Sequence, residues 1–317
     1  QDAFVTQAIA DVQRDIRNKW WSVYHSNQSR NRSYAGGIEI DLTLLTDSQW
    51  TRATVYRTLG YYICPALTKF NSTGDEKKLL EIVNWGNNPW TSMDRAFWDC
   101  INMDITATDA PDFSNVTSFS QAFRGCTSMT TTGTSADWVG ATCTSLVNMF
   151  TGCTSLLACD ASSWNPSSVE SFENLFNNCQ DLTTVDASGW NTSSLGTGAP
   201  NNVLKKVFWN CQALTTLDLS GWDVSNVGIC QEMFENCYAL NSLNVSEWDT
   251  SSLVNTIEMF RECQALTSLD LSSWNVSSLT TPQSMFYNCD VLTTIGDISG
   301  WTTGNIVTAS SMFYGCD

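Results

Sequence analysis

A single motif, Phe-x-x-Cys, recurs along most of this chain, and its period constrains the fold more than any other feature. It reads "AFWDC", "AFRGC", "MFTGC", "LFNNC", "VFWNC", "MFENC", "MFREC", "MFYNC" and "MFYGC". The cysteines are Cys100, Cys126, Cys153, Cys179, Cys211, Cys237, Cys263, Cys289 and Cys316, spaced 26, 27, 26, 32, 26, 26, 26 and 27 residues apart. A tryptophan column keeps step at Trp138, Trp164, Trp190, Trp222, Trp248, Trp274 and Trp301, with Trp85 opening it and Pro111 taking the next place. A fixed period of this length marks a solenoid, in which each repeat buries its apolar side only by stacking on its neighbours.

Each period divides into three parts. "ALTSLDLSSW" (265–274) alternates as a strand, with Leu266, Leu269 and Leu271 facing inward and Ser268 and Asp270 facing out. "NVSS" or "DVSN" after the Trp is turn chemistry. A segment such as "TIEMFRECQ" then sets Ile257 and Phe260 three apart, which predicts a short helix. Strand, crossover and parallel strand predict a right-handed coil. Strands of successive coils would pair about 4.8 Å apart, so about nine coils would form a rod of roughly 40–45 Å. The 32-residue spacing places an extra loop at "GTGAPN" (196–201) on the helix side, and "MTTTGTSA" (129–136) departs from the strand pattern and predicts a poor coil.

"LTSLDLSSWNVSSLTTPQSMFYNC" (266–289) resembles the BspA-type leucine-rich repeat of bacterial, protist and viral surface proteins. The resemblance covers about residues 78–317 and rests jointly on the Leu-x-x-Leu-x-Leu, Trp, Met-Phe and Cys columns. It implies an α/β solenoid of leucine-rich-repeat-like coils, each a short parallel strand, a turn and a short helix, acting as a scaffold in adhesion or a surface coat. Residues 1–77 lie outside it. There Val5, Ile9, Val12, Ile16 and Trp20 follow a helical period behind Asp2, "GIEIDLTLL" reads as a strand, and a second helix is expected from Ser48. A solenoid's first coil needs a cover, so this segment is expected to be a mixed N-terminal cap.

Composition narrows the functional classes. Apolar residues at 42% suffice for a core, and a formal charge of −17 with 15 Lys and Arg disfavours nucleic acid and anionic membranes. No apolar run reaches the 18 residues of a membrane span. The start at Gln1, the thirteen Cys and the scarcity of Lys are expected of an exported, mature chain found outside the cell or on its surface. Enzymatic chemistry has little to stand on: His25 is the only histidine, and neither a nucleophile–base pairing nor zinc spacing occurs. No cofactor and no firm metal site is expected.

Several columns carry more than one reading. The cysteine column is either a ladder of small buried thiols or a set of bridges, although in-register neighbours hold their Cβ atoms wider than the roughly 3.8 Å a disulfide favours. Cys64, Cys143, Cys159 and Cys230 fall off the column, and a specific disulfide is expected among these rather than within it. Asp160, Asp186, Asp218, Asp270 and Asp297, with Asn244 interrupting, form an outward acidic row: a line of Ca²⁺ sites or a solvated polar face. Thr184, Thr216, Ser242, Ser268 and Thr294 run beside it as a flat polar strip. Sequons at Asn27, Asn31, Asn71, Asn115, Asn191, Asn244 and Asn275 permit glycans.

The sequence stops after "SMFYGCD" without a capping coil, and three explanations compete: the chain is truncated there, the open end is tolerated, or another molecule covers Trp301, Phe313 and Cys316. One expectation is therefore an extracellular fibre, a homopolymer stacked head to tail. The N-terminal segment, with Val5, Ile9, Val12, Ile16 and Trp20, would plug that end of the next subunit. The rival is a monomeric or anchored adhesin that binds a receptor through the polar sheet face.

Overall fold

The computed structural model describes residues 77, 79–82, 85, 89–90, 92–133, 138–198 and 202–316. The expectations for the N-terminal cap, for Val5, Ile9, Val12, Ile16, Trp20, His25 and Cys64, and for the sequons at Asn27, Asn31 and Asn71 all fall outside those residues.

Parallel pairing of very short strands builds one edge of the solenoid. β1 (Glu81–Ile82) pairs with β2 (Asp104–Ile105), β3 (Ala158–Cys159) with β4 (Thr184–Val185), and β5 (Thr216–Asp218) with β6 (Ser242–Asn244). Single bridges extend the column at Thr131↔Ala158 and Ser268↔Thr294. The strands are two or three residues long because only the Leu-x-Leu step of each coil is extended. In the best-formed pair Leu217 faces Leu243 inward while Thr216, Asp218, Ser242 and Asn244 face out. The irregular coil near 129–133 has a local cause. The Asp104 carboxylate takes the Thr130 N–H (3.0 Å) and hydroxyl (2.9 Å), so a side chain replaces a ladder bond there.

The expected short helices are not there; among the described residues no α-helix occurs. The Met-Phe-x-x-Cys segment is instead a run of overlapping turns. Glu235 N–H reaches back to Glu232 O (3.4 Å) and Cys237 N–H to Phe234 O (3.2 Å), both three residues away. The N–H groups between them point forward to the next coil: Glu232 to Ile257 O, Phe234 to Met259 O and Asn236 to Arg261 O, each at 2.9 Å. Alternate donors therefore leave the segment, which an α-helix cannot allow because it closes every N–H on the fourth residue back. Two residues per turn run also take positive φ, for example Glu232 (57°) and Asn236 (63°), which breaks the helical path. A stretch this short would be a poor helix in any case, since nucleation is costly.

Between strand edge and turn edge lie continuous side-chain columns. The phenylalanines stack face to face from Phe97 to Phe313. Phe208–Phe234 sit at 5.7 Å and Phe234–Phe260 at 5.5 Å, both 4° from parallel. Trp164, Trp190 and Trp222 stack likewise at 5.6 and 5.7 Å. From Trp190 onward the indoles also find an acceptor in the preceding coil, as with Trp222 Nε1–H to Ala187 O (3.0 Å) and Trp248 Nε1–H to Leu219 O (2.9 Å). Burial of a Trp is costly when the N–H is orphaned, so the column carries its own backbone acceptors. Met259, Phe260 and Cys263 are fully buried, whereas Ile257 lies half-buried at the surface rather than on the core face.

Candidate functional site

Two places on the described solenoid gather polar side chains: the strand edge and the turn edge. At the strand edge an open groove of about 640 Å³ is lined by Asp160, Thr184, Asp186, Thr216, Asp218, Ser242 and Asn244, with Cys159, Val185 and Leu217 forming its floor. It thus unites the central part of the expected acidic row with the polar strip beside it. Asp270 and Asp297 continue the row outside the groove.

Each carboxylate of the row has a local task. Asp218 Oδ1 accepts the Ser220 N–H (3.0 Å) and hydroxyl (2.7 Å), and the same turn recurs from Ser162 to Asp160, Ser188 to Asp186, Ser272 to Asp270 and Ser299 to Asp297. These bonds end the strand and aim the chain at the Trp two residues on. They require an acceptor oxygen, not a charge, which is why Asn244 serves equally, taking Ser246 N–H and hydroxyl at 3.3 and 3.0 Å. The Ser220 bonds hold Asp218 below the ordinary carboxylate range, and the Ser272 and Ser299 bonds do the same for Asp270 and Asp297. The groove is therefore lined by exposed carboxylates and hydroxyls, with no basic side chain among its lining.

A second turn follows Trp190, Trp222 and Trp274, with Asn191, Asp223 and Asn275 accepting from Ser193, Ser225 and Ser277. Among the sequons, Asn115, Asn191, Asn244 and Asn275 are exposed; the last three already engage their own sequon's neighbourhood through Oδ1.

The cysteine column lines the inside of the turn runs. From Cys126 onward each S–H points at the Phe carbonyl of the preceding coil, for example Cys211 to Phe176 O (3.2 Å) and Cys289 to Phe260 O (3.0 Å). Burial pushes these thiols up, Cys237 and Cys289 to about 12. The disulfide expected among the off-column cysteines is not formed between the described ones: Cys143, Cys159 and Cys230 are free, buried thiols. Each replaces an apolar residue of a different column. Cys159 stands where other coils have Leu217 or Leu243, Cys143 where they have Val169 or Leu253, and Cys230 where they have Phe172 or Leu204. They are core fillers and do not face one another.

The turn edge holds a cluster that the periodicity alone did not single out. Lys206, Glu232 and Glu258 occupy one column, two residues before each Phe, and Trp209, Glu235 and Arg261 the column one residue after it. Lys206 Nζ lies 2.6 Å from Glu232 Oε2, and Arg261 Nη1 lies 3.1 Å from Glu258 Oε1 and 3.8 Å from Glu235 Oε1. Trp209 Nε1–H donates to Glu235 Oε2 at 3.0 Å. The signal was present in "VFWNC", "MFENC" and "MFREC", read down the columns instead of along the chain.

At the last coil Phe313 stacks on Phe286 (5.3 Å) but is 46% exposed, Val307 is 82% exposed, and Trp301 and Cys316 are half-buried. At the other end of the column Phe97 is only 3% exposed.

Comparison with known proteins places this geometry in context. The solved structures it matches include a leucine-rich repeat protein from Bacteroides ovatus (16% identity, 71% of this chain and 74% of that one, TM-score 0.23). They also include a leucine-rich cell surface protein from Faecalibacterium prausnitzii (18%, 71% and 77%, 0.21) and an internalin from Listeria monocytogenes (13%, 77% and 87%, 0.21). At such TM-scores the likeness carries no argument, and the solenoid rests on the parallel pairing and the stacked columns. No curated protein matches the chain. A family model matches residues 91–199 and 202–317, the greater part of the molecule, and the chain belongs to that family, described as Mycoplasma protein of unknown function, DUF285.

Proposed function

We propose that this chain is a non-enzymatic surface protein, displayed outside the cell, whose strand edge recognises a polar partner. The observation that carries the reading is the groove over Asp160, Asp186 and Asp218. Its residues project from consecutive coils of a rigid core, so a partner meets a regular array of hydroxyls and carboxylates whose positions are fixed by backbone pairing and turn hydrogen bonds. An exposed array of this kind suits a polar protein surface more than an apolar ligand; to a glycan it offers hydrogen bonds but no aromatic ring to stack on. The test is binding of the labelled protein to a printed array of glycans and matrix proteins. Thr216→Arg, which fills the groove, should abolish the signal, and Gln264→Arg, outside the groove lining, should not. Equal retention by both variants refutes the reading.

A second reading is a fibre of BspA-type subunits stacked head to tail, which the face-to-face phenylalanine stack from Phe97 to Phe313, running coil on coil, would suit. In it the segment holding Val5, Ile9, Val12, Ile16 and Trp20 covers Trp301, Phe313 and Cys316 of the next molecule, with glycans on the outer surface. Electron microscopy of non-reduced material should then show filaments that are lost when residues 1–40 are deleted. Filaments that persist after the deletion, or discrete short rods in the intact protein, rule it out.

A further inference from the structure

The turn-edge cluster holds three carboxylates against two cations. The oxygens of Glu232, Glu235 and Glu258 lie within 4.8 Å of one another, and among the described residues Lys206 and Arg261 are the cations paired with them. The other contacts are neutral donors: Trp209 Nε1–H on Glu235 and Gln231 Nε2–H on Glu232 at 2.6 Å. Backbone bonds lock the three coils in register, from Lys206 N–H to Gln231 O and from Glu232 N–H to Ile257 O, so the carboxylates cannot drift apart without breaking the ladder.

Glu235 is the odd member. It is the most buried of the three, its cation among the described residues is the more distant contact of Arg261, and its carboxylate lies within 4.8 Å of those of Glu232 and Glu258. We propose that Glu235 is a proton-operated latch across three coils. Protonated, it donates to Glu232 and closes the cluster; ionised, it leaves three facing carboxylates against two cations and loosens the coils between Lys206 and Arg261.

Electrostatics agrees with the geometry. Burial, reinforced by the charges of Glu258 and Glu232, pushes Glu235 up to about 7, against the pull of Trp209 and Arg261. Burial acts on Glu232 too, but the Lys206 ammonium outweighs it and holds that carboxyl below its ordinary value. The signs separate the two groups. A carboxyl raised in the folded state contributes stability that is full below its unfolded value and is lost as pH climbs to the folded one, so Glu235 acts between 4.5 and about 7. Glu232 contributes above the ordinary carboxylate value and is lost below it. Over the Glu235 window the folding constant falls as pH rises, by at most about tenfold for each unit of pH.

Thermal unfolding of the full chain between pH 5 and 8 tests this, with amide hydrogen exchange to locate the change. The native protein should lose stability as pH rises, and amide protection, taken relative to the intrinsic base-catalysed rate at each pH, should fall only in the coils from Lys206 to Arg261. Glu235→Gln, an amide that keeps the donor without the titration, should flatten the slope. Glu258→Gln, which removes one repelling charge, should move the midpoint to lower pH. The long-range repulsion of a −17 chain is common to all three proteins and cancels in the comparison. A Glu235→Gln slope equal to the native one, an unmoved midpoint in Glu258→Gln, or protection falling uniformly along the solenoid overturns the latch.

Discussion

Truncating one phenylalanine of the stack at two different heights tests whether the molecule is held together coil by coil. Phe234 is fully buried between Phe208 and Phe260, with both rings parallel to it at 5.7 and 5.5 Å. Phe234→Ala removes a whole buried ring and both stacking partners. Buried Phe→Ala changes cost about 3–5 kcal/mol, and the rigid columns above and below leave the cavity little room to collapse, so about 4 kcal/mol is expected here. Phe313 has one partner, Phe286 at 5.3 Å, and is 46% exposed. Half the burial and one stack put Phe313→Ala at about 1–2 kcal/mol. Urea titration followed by tryptophan fluorescence reads both. The interior variant should also broaden the transition, because a weak interface in a one-dimensional array lets the two sides unfold separately. Equal midpoint shifts for the two variants, or a larger one for Phe313→Ala, would refute nearest-neighbour stacking as the source of stability.

The thiols should be inert until the chain unfolds. Burial raises Cys237 to about 12 against an ordinary 9.0, so very little thiolate forms at neutral pH. A thiol reagent at neutral pH should therefore react with the column only in denaturant; full reaction of native protein would contradict the packing. Two glycines separate strain from clash. At Gly152 (φ 77°) an added methyl would have its nearest neighbour at 3.7 Å, so Gly152→Ala should cost only the left-handed strain, about 1–2 kcal/mol. At Gly196 (φ 74°) the methyl would meet the Asn226 carbonyl at 2.3 Å, so Gly196→Ala should lower the melting temperature distinctly more. Finally, Asp218→Asn should keep the melting temperature nearly unchanged and Asp218→Ala lower it, since the turn needs the oxygen and not the charge; equal losses would show that the charge matters.

The groove and the turn edge differ in how far the linear sequence reveals them. The acidic row and its neighbouring Thr/Ser strip are visible because each recurs at a fixed offset from a Trp, and the offset survives folding unchanged. What that row does is not visible, because the Asp-x-Ser hydrogen bonds that occupy each Oδ1 are local geometry. Glu235 shows the opposite case. Nothing in "MFENC" distinguishes it from any surface Glu, and its raised affinity for a proton comes from burial, from Glu258 in the next coil and from Glu232 three residues back. The turn runs look helical in sequence because the three-residue spacing of Ile257 and Phe260 fits either path. The correcting signal stands beside eight of the nine column cysteines: Asp99, Gly125, Gly152, Asn178, Asn210, Asn236, Asn288 and Gly315 are residue types that tolerate positive φ, and all adopt it, while Glu262 before Cys263 adopts it without being such a type.

By itself the sequence determined that the chain is a stack of coils, since only stacking turns a 26-residue period of Leu, Trp, Phe and Cys into continuous buried columns. It also determined which faces are apolar and where the polar row lies. The tertiary structure alone decided the path of the crossover and the ionisation of the turn edge. Both depend on where backbone donors and charges of one coil fall against the next. Alternate N–H groups found carbonyls 25 residues onward and so could not close a helix, and three carboxylates from two neighbouring coils met two cations at the edge of a low-dielectric core.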